Sequence, residues 1–408
     1  MTNKSRETDR FDVLVVGGGM VGSALALGLA RQGWKTGLVE GATLSDLTAP
    51  VGVADNVDDF EPRVSAISLA SQRLLEQLGA WRHVQASRHC GYRRMTVWDA
   101  DGTGGIRFDA AELHADSLGT IVENRSVVRA LFSELADSDV ALIDGVRVQG
   151  WHPAAGVQLD DGRTLRATLV VGADGALSRL RQWAGLATRE WDYDQHAIVC
   201  TVRTAQPHQY TAWQRFSQTG PLAFLPLLNE SGDEHFCSIV WSQDTGEARR
   251  LMELQPEGFR LELESAIERQ LGRVEAVSAR FSFPLRQRHA KDYVAEGLVL
   301  IGDAAHTIHP LAGQGANLGY GDVSVLLDEL ARAKTRKLAP ADPLVLARYQ
   351  RRRKGENLTM MAAMEGFRQL FARDELPVRW LRNTGMRWLD RLAPLKNRVA
   401  AEAMGIKR

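Results

Sequence analysis

Three short glycine-centred motifs, each at the end of an apolar β-rich run, constrain this chain more than any other feature. Gly17-Gly18-Gly19-Met20-Val21-Gly22 follows Phe11 to Val16, Gly172-Ala173-Asp174-Gly175 follows Thr168 to Val171, and Gly302-Asp303-Ala304-Ala305-His306 follows Leu298 to Ile301. Short continuous apolar runs suit strands buried on both faces, so one sheet has to be assembled from segments far apart in the sequence. After the first motif, Met20 to Gln32 reads as a helix of small and aliphatic residues closed by Gly33, and Lys35 to Glu40 returns as a strand. The chain opens with a βαβ unit, and the expected class is α/β.

The first motif fits a dinucleotide turn. Gly17 allows the tight exit from the strand, Gly19 lets the backbone approach a pyrophosphate, and Gly22 lets the helix pack closely. The helix N-terminus offers unpaired N–H groups to the phosphates. Glu40 ends the second strand, where a carboxylate accepts from ribose hydroxyls and disfavours a 2′-phosphate. In the third motif, Asp303 is placed to accept from a polyol hydroxyl. Pro310, Gly313, Gln314, Gly315 and Asn317 then lead into a helix starting near Ala316, whose N-terminus favours negative charge on a reduced flavin. One dinucleotide turn with a distant second anchor separates an FAD protein from an ordinary nicotinamide dehydrogenase, so FAD is the expected cofactor. For Asp174-Gly175, a plain Asp-Gly turn is the competing reading.

Residues 196–241 carry the strand-like stretches Ala197 to Arg203, Ala223 to Leu227 and Phe236 to Trp241 without helical patterns between them, which predicts a second, antiparallel domain. Phe216, Phe224, Pro226 and Trp241 are its candidates for the wall of an aromatic substrate pocket, with ordinary core packing as the alternative. Beyond Pro343 the pattern turns helical and basic, with Leu344 to Phe371 as one or two helices and Pro377 and Pro394 as punctuation. The domain reading assigns 1–75, 111–185 and 286–345 to a Rossmann-like FAD-binding domain, 76–110 and 186–285 to a substrate domain, and 346–408 to a C-terminal helical region.

Fifty basic residues balance fifty acidic ones, so no overall charge favours nucleic acid. Cys90, Cys200 and Cys237 form no Cys-x-x-Cys pair and suit reduced thiols in a cytosolic protein. The polar start and the glycine-interrupted stretch after it match neither a signal peptide nor a membrane span. The expected location is cytoplasmic, peripheral at most on the inner face of the cytoplasmic membrane. His306 and His309 lack a suitably spaced carboxylate, so no metal site is expected. Arg351-Arg352-Arg353-Lys354 reads as a solvated helix face. From Arg379 to Arg408 there are eight Lys or Arg against two Asp or Glu, and Leu381, Trp388, Leu389 and Leu392 share a helical face. That basic amphipathic segment is a candidate for contact with an anionic membrane or a partner, with packing on the protein body as the alternative.

The three motifs together with Arg63-Val64-Ser65-Ala66-Ile67 and the run from Gly302 to Gly319 resemble the group A flavin-dependent aromatic hydroxylases. With Ile121-Val122-Glu123-Asn124, Ala223-Phe224-Leu225-Pro226-Leu227 and His306 to Gly315 added, the chain is similar over nearly its whole length to the ubiquinone-biosynthesis hydroxylases. The resemblance implies the fold of p-hydroxybenzoate hydroxylase: a glutathione-reductase-type FAD-binding domain, an antiparallel-sheet substrate domain and a C-terminal helical region. It implies Arg63 beside the FAD, Asn124 near its ribityl or ring portion, and Asp303 on the ribityl chain. Asp174 and Gly175 would serve both FAD and a visiting NAD(P)H. Gly313 to Asn317, Ala316 among them, would face the isoalloxazine, with Pro310, Gly313 and Gln314 forming the environment of the chemistry. The implied co-substrates are NAD(P)H and O2, and the implied substrate is a polyprenylated phenol or benzoquinol, met within a ubiquinone-biosynthesis complex. Tyr92-Arg93-Arg94 and Phe108 to Leu113 lean toward 2-polyprenyl-3-methyl-6-methoxy-1,4-benzoquinol as that substrate. The alternatives are a paralogous hydroxylase of 2-polyprenylphenol or 2-polyprenyl-6-methoxyphenol, a same-fold flavin reductase, or an FAD-retaining subunit without catalytic activity.

Overall fold

A computed structural model describes residues 10–100, 102–307, 315–373 and 375–405. The opening strand Arg10–Val16 lies at the centre of a mainly parallel sheet. Thr36–Val39 and then Ala141–Ile143 flank it on one side, and Thr164–Gly172, Leu298–Leu300 and a short antiparallel Val294–Ala295 on the other. Register explains why the three motifs act together. Val16 lies opposite Gly172, and Gly172 opposite Leu300, so all three loops leave the sheet at the same level and at the carboxyl ends of their strands. That edge is where open α/β sheets bind ligands. The helices Met20–Arg31, Asn124–Ala136 and Gly315–Thr335 cover this sheet. Leu25, Leu27 and Leu29 of the first are fully buried, each worth roughly 1.5–3 kcal/mol relative to exposure.

The second sheet is built on the long strand Thr188–Thr204, paired antiparallel with Phe236–Asp244 on one side and Phe281–Ala290 on the other. Gly220–Leu227, Thr211–Ser217, Arg94–Asp99 and Gly105–Asp109 extend it, with Thr211–Ser217 and Arg94–Asp99 running parallel. At the opposite edge, His306–Thr307 pairs with Arg288 and His289, so the third motif passes directly from one sheet into the other. Strand alternation gives this sheet two different faces. Leu222, Phe224, Ile239 and Trp241 pack on the helices Thr245–Glu253 and Pro256–Ala266. Ala197, Val199, Ser238 and Val240 look the other way, across a cleft toward the three motifs.

Pro343–Ala372 is one continuous helix of 30 residues, about 45 Å long at 1.5 Å per residue. The arginine run on it is a solvated face only in part, with Arg351 exposed. Arg353 is 3% exposed and lies on Asp322, while Arg352 is held by Glu329 at 2.8 Å. Acidic residues on the neighbouring helix Gly315–Thr335 pull these guanidinium groups inward. Leu376–Arg391 and Ala393–Ala403 follow, each with its proline in the first turn, where the missing N–H costs nothing. Arg382 and Asp99, both buried, dock the first of these helices on the second sheet through bonds of 2.7 and 2.9 Å. The apolar face expected there divides: Leu389 packs inward with Val97, Ile106 and Met386, whereas Trp388 is 65% exposed. The side chain of Leu381 lies outside the described residues. No helix among the described residues is long and apolar enough to cross a membrane.

Candidate functional site

Two hollows that share Gly19 and Ala173 run along the carboxyl edge of the parallel sheet, an outer one of about 410 Å³ and an inner one of about 600 Å³. The first motif divides its glycines as the turn chemistry requires. Gly17 has φ +106°, and a Cβ there would sit 2.3 Å from the Ala173 carbonyl oxygen. A Cβ on Gly22 would fall 2.0 Å from the Gly17 oxygen, whereas one on Gly19 meets nothing within 4 Å, because Gly19 faces the open cleft. Glu40 projects into the outer hollow, held by the Gly18 N–H at 2.5 Å and the Ala42 N–H at 2.9 Å.

Asp174 also lines the outer hollow. Its Oδ2 accepts from the Arg179 and Leu180 N–H groups at 2.8 and 3.2 Å, while Oδ1 is buried without a partner. Arg181, buried close by, donates to the Ala176 oxygen at 2.9 Å and the Ala304 oxygen at 2.7 Å, tying the second motif to the third. Burial lowers the Arg181 pKa, with Asp174 opposing the shift. Gly175 lies at the inner hollow.

At the inner hollow Gly302 takes φ +57° and donates its N–H to Asp322 Oδ2 at 2.8 Å. Asp322 is fully buried and also binds His306 Nε2 at 2.6 Å, Arg353 Nε at 2.6 Å and Asn357 Nδ2 at 3.4 Å. Burial alone would raise its carboxyl, but His306 and Arg353 outweigh that and hold it below the usual range. Asn357 continues to Tyr293 at 3.2 Å, and Tyr293 to His289 at 2.9 Å, whose pKa is pushed down to about 4 by burial and by His306. This network was not read from the sequence. Its signal is an acid among the apolar positions of an amphipathic helix, Asp322 between Gly319 and Val323. Asp303 lines the inner hollow and is exposed. Desolvation raises its pKa, opposed by His306 and Arg63.

Arg63 lines the same hollow with its guanidinium 6.0 Å from the Phe283 ring centre, and Asn124 lines it with Oδ1 accepting from Ser65 Oγ at 2.6 Å. Gly315 and Ala316 bring the N-terminus of the helix Gly315–Thr335 to this hollow. Asn317 is different. Its amide oxygen accepts from Ser68 N at 2.9 Å and Ser71 Oγ at 2.8 Å and its nitrogen donates to the Ala66 oxygen at 2.8 Å, so the side chain braces neighbouring elements and does not line the cleft. Pro310, Gly313, Gln314 and His309 lie outside the described residues.

The aromatic residues expected to wall a substrate pocket do not line the cleft. Phe224 and Trp241 belong to the core on the far side of the sheet, and Pro226 falls on that face by alternation, opposite Cys237. Phe216 is on the near side but packs against Phe371, with ring centres 4.6 Å apart. Aromatic content marked the sheet, and the period of two decided which face each ring took. The wall that does face the motifs combines Ala197, Val199 and Val240, small enough to leave room for a planar ring, with Phe283, Leu285 and Arg286.

These residues fit FAD on their own chemistry. Gly19 opens on free space for a ligand backbone, and the Glu40 and Asp174 carboxylates line the outer hollow, one Asp174 oxygen being buried without a partner. Asp303 and a helix N-terminus stand at the inner end. Among the described residues no group of three or more His, Cys, Asp or Glu comes together as a metal site.

Comparison with known proteins agrees with the geometry. A family model described as FAD binding domain matches residues 10–362. The 3-demethoxyubiquinol 3-hydroxylase of Escherichia coli K12 is 40% identical, with 100% of each chain covered. Ubiquinone hydroxylase UbiL of Rhodospirillum rubrum is 36% identical, covering 97% of this chain and 89% of its own. Among solved structures, pqsL, a probable FAD-dependent monooxygenase from Pseudomonas aeruginosa, superposes with a TM-score of 0.74 at 25% identity over 93% of this chain and 100% of that one. The p-nitrophenol 4-monooxygenase PnpA from Pseudomonas putida DLL-E4 reaches 0.77 at 19% identity over 98% and 100% of the two chains, a likeness of fold.

Proposed function

The chain belongs to the FAD binding domain family and, within it, to the flavin hydroxylases of ubiquinone biosynthesis, and from that premise we propose that it hydroxylates the ring of 2-polyprenyl-3-methyl-6-methoxy-1,4-benzoquinol. It is an FAD-dependent aromatic-ring monooxygenase with NAD(P)H and O2 as co-substrates. The observation that carries the reading is the convergence of all three motifs on one cleft whose opposite wall is largely apolar, with small side chains at Ala197, Val199 and Val240. The choice of ring is supported by the likeness to a 3-demethoxyubiquinol 3-hydroxylase.

FAD, when bound, supplies the acceptance of hydride and the activation of O2. The protein's part is binding, orientation and exclusion of water. Backbone N–H groups from Gly19 into the helix Met20–Arg31 would receive the pyrophosphate, Glu40 the ribose hydroxyls, and Asp303 a ribityl hydroxyl. The N-terminus of the helix Gly315–Thr335 would favour the anionic reduced ring. Ala197, Val199 and Val240 would hold the substrate ring against the flavin side and keep water away from it.

A polyprenyl tail has to be fetched from lipid. Leu376, Trp380 and Trp388, each at least 65% exposed, share the outer face of the docked helix Leu376–Arg391 with Arg387 and Arg391. That combination supports peripheral contact with an anionic membrane, or with another member of a biosynthetic complex. Deleting the gene and identifying the accumulated aromatic intermediate by mass spectrometry tests the assignment. The methyl, methoxy benzoquinol should accumulate, and an intermediate lacking a different ring hydroxyl would reassign the step.

A further inference from the structure

The sheet wall of the inner hollow carries one polar anomaly. Ser238 lies opposite Thr201 and Leu225, on the face shared with Val240, and both Ser238 and Val240 line the hollow. The residue is 1% exposed, and its Oγ is buried with no hydrogen-bond partner. Arg286 and Thr307, which the same sheet also brings to the hollow, are already engaged: Arg286 by Asp192 at 3.0 Å and Thr307 by the Asp303 oxygen at 3.4 Å. The other neighbours on this wall, Ala197, Val199, Val240, Phe283 and Leu285, have no polar side-chain atom. A buried hydroxyl without a partner costs stability that an alanine here would not. Such a group is explained when its partner is a ligand atom.

We propose that Ser238 Oγ hydrogen-bonds a ring oxygen of the aromatic substrate and so fixes which ring carbon faces the flavin side of the hollow. The inference rests on the hydroxylase reading and adds a positioning residue to it. A serine hydroxyl donates to a phenolate oxygen and accepts from a neutral phenol, and its small size lets a planar ring lie close to the sheet. Among the described residues that line this wall no other hydroxyl is uncommitted, so the contact reads orientation rather than general polarity.

The test uses oxidised holoenzyme titrated with a short-prenyl methoxyphenol and with the matched analogue whose ring hydroxyl is replaced by hydrogen, binding being read from the flavin absorbance. Wild type should prefer the phenol by about tenfold, Ser238→Ala should lose that preference, and Ser238→Thr, which keeps a hydroxyl, should retain most of it. The Tm of Ser238→Ala should equal or exceed that of wild type, because the hydroxyl has no partner inside the protein. An unchanged preference in Ser238→Ala, a Tm well below wild type, or no binding of either compound by wild type overturns the proposal. The titration needs no turnover. A Ser238-dependent preference in a protein that never hydroxylates the ring would sink the hydroxylase reading while upholding the contact.

Discussion

Removing the Asp322 carboxylate should loosen the flavin loop from behind, and the size of the effect follows from its contacts. Asp322→Leu strips the Gly302 N–H of its acceptor and takes the buried counter-charge from Arg353, His306 and Asn357. Breaking a buried ion pair costs about 3–5 kcal/mol. Arg353 would still hold the Leu318 oxygen at 3.1 Å and Asn357 Oδ1 at 2.8 Å, and it keeps Glu356. Those contacts favour the lower end, while the stranded Gly302 N–H adds about 1 kcal/mol or more. The expected loss is about 4 kcal/mol, or roughly 8 °C in Tm at about 2 °C per kcal/mol for a large domain. Arg353→Met should cost a similar amount. The double variant should cost less than the two together, with a coupling of about 2–3 kcal/mol, because it leaves neither charge uncompensated. Urea unfolding of the four proteins at neutral pH gives the cycle, and FAD titration of each should show weaker binding in both single variants. Additivity within about 0.5 kcal/mol would refute the coupling. The sign with pH is also set. The carboxyl lies below its unfolded value in the folded protein, so its contribution is full above that unfolded value, near 3.9, and is lost as pH falls through the lower, folded one.

Other consequences follow from the cleft. Gly19→Ala should fold normally but bind FAD more than tenfold less tightly, since its Cβ enters the pyrophosphate cradle, whereas Gly22→Ala should also lower Tm because its Cβ collides with the Gly17 oxygen; flavin content and thermal unfolding separate the two. The Asp303 carboxyl is raised by desolvation, so whatever it contributes to apoprotein stability is present at low pH and lost as pH rises through the folded value. Asp303→Asn should therefore stabilise the apoprotein at neutral pH while FAD binding and turnover fall, and thermal scans with flavin titration check both. Phe224→Ala should cost about 3–5 kcal/mol with little change in KM, as measured on the fraction that stays folded. Trp380→Ala with Trp388→Ala should weaken co-sedimentation with anionic vesicles severalfold and leave turnover of a short-chain substrate in detergent unchanged.

How far residues alone carry the reading depends on range. The three glycine motifs were legible because their chemistry is local: a strand end, a tight turn and a helix N-terminus lie within a few residues of one another, and the parallel register then brings the three loops to one level. Asn317 shows the limit. Its place beside the cofactor run is plain in sequence, but Ser68, Ser71 and Ala66, which consume its polar atoms, come from a distant segment. Phe224 and Trp241 were legible as strand residues with core and pocket wall both open, since a phase of one residue decides the face and two helices bury it. Arg353 read as surface because a run of four basic residues resembles a solvated helix, and only packing against Gly315–Thr335 brings Asp322 beneath it. Small residues such as Ala197 and Ser238 carry no compositional signal. They matter because of what they leave open.

The central claim is that one cleft holds flavin and quinol together so that oxygen passes from O2 to the ring. Turnover of the purified protein with FAD, NAD(P)H, a short-chain 3-methyl-6-methoxy benzoquinol and 18O2 tests it directly. The product should gain a single 18O atom on the ring, in step with NAD(P)H consumed. Consumption of NAD(P)H with no label in the ring, the quinol being bound throughout, would contradict it.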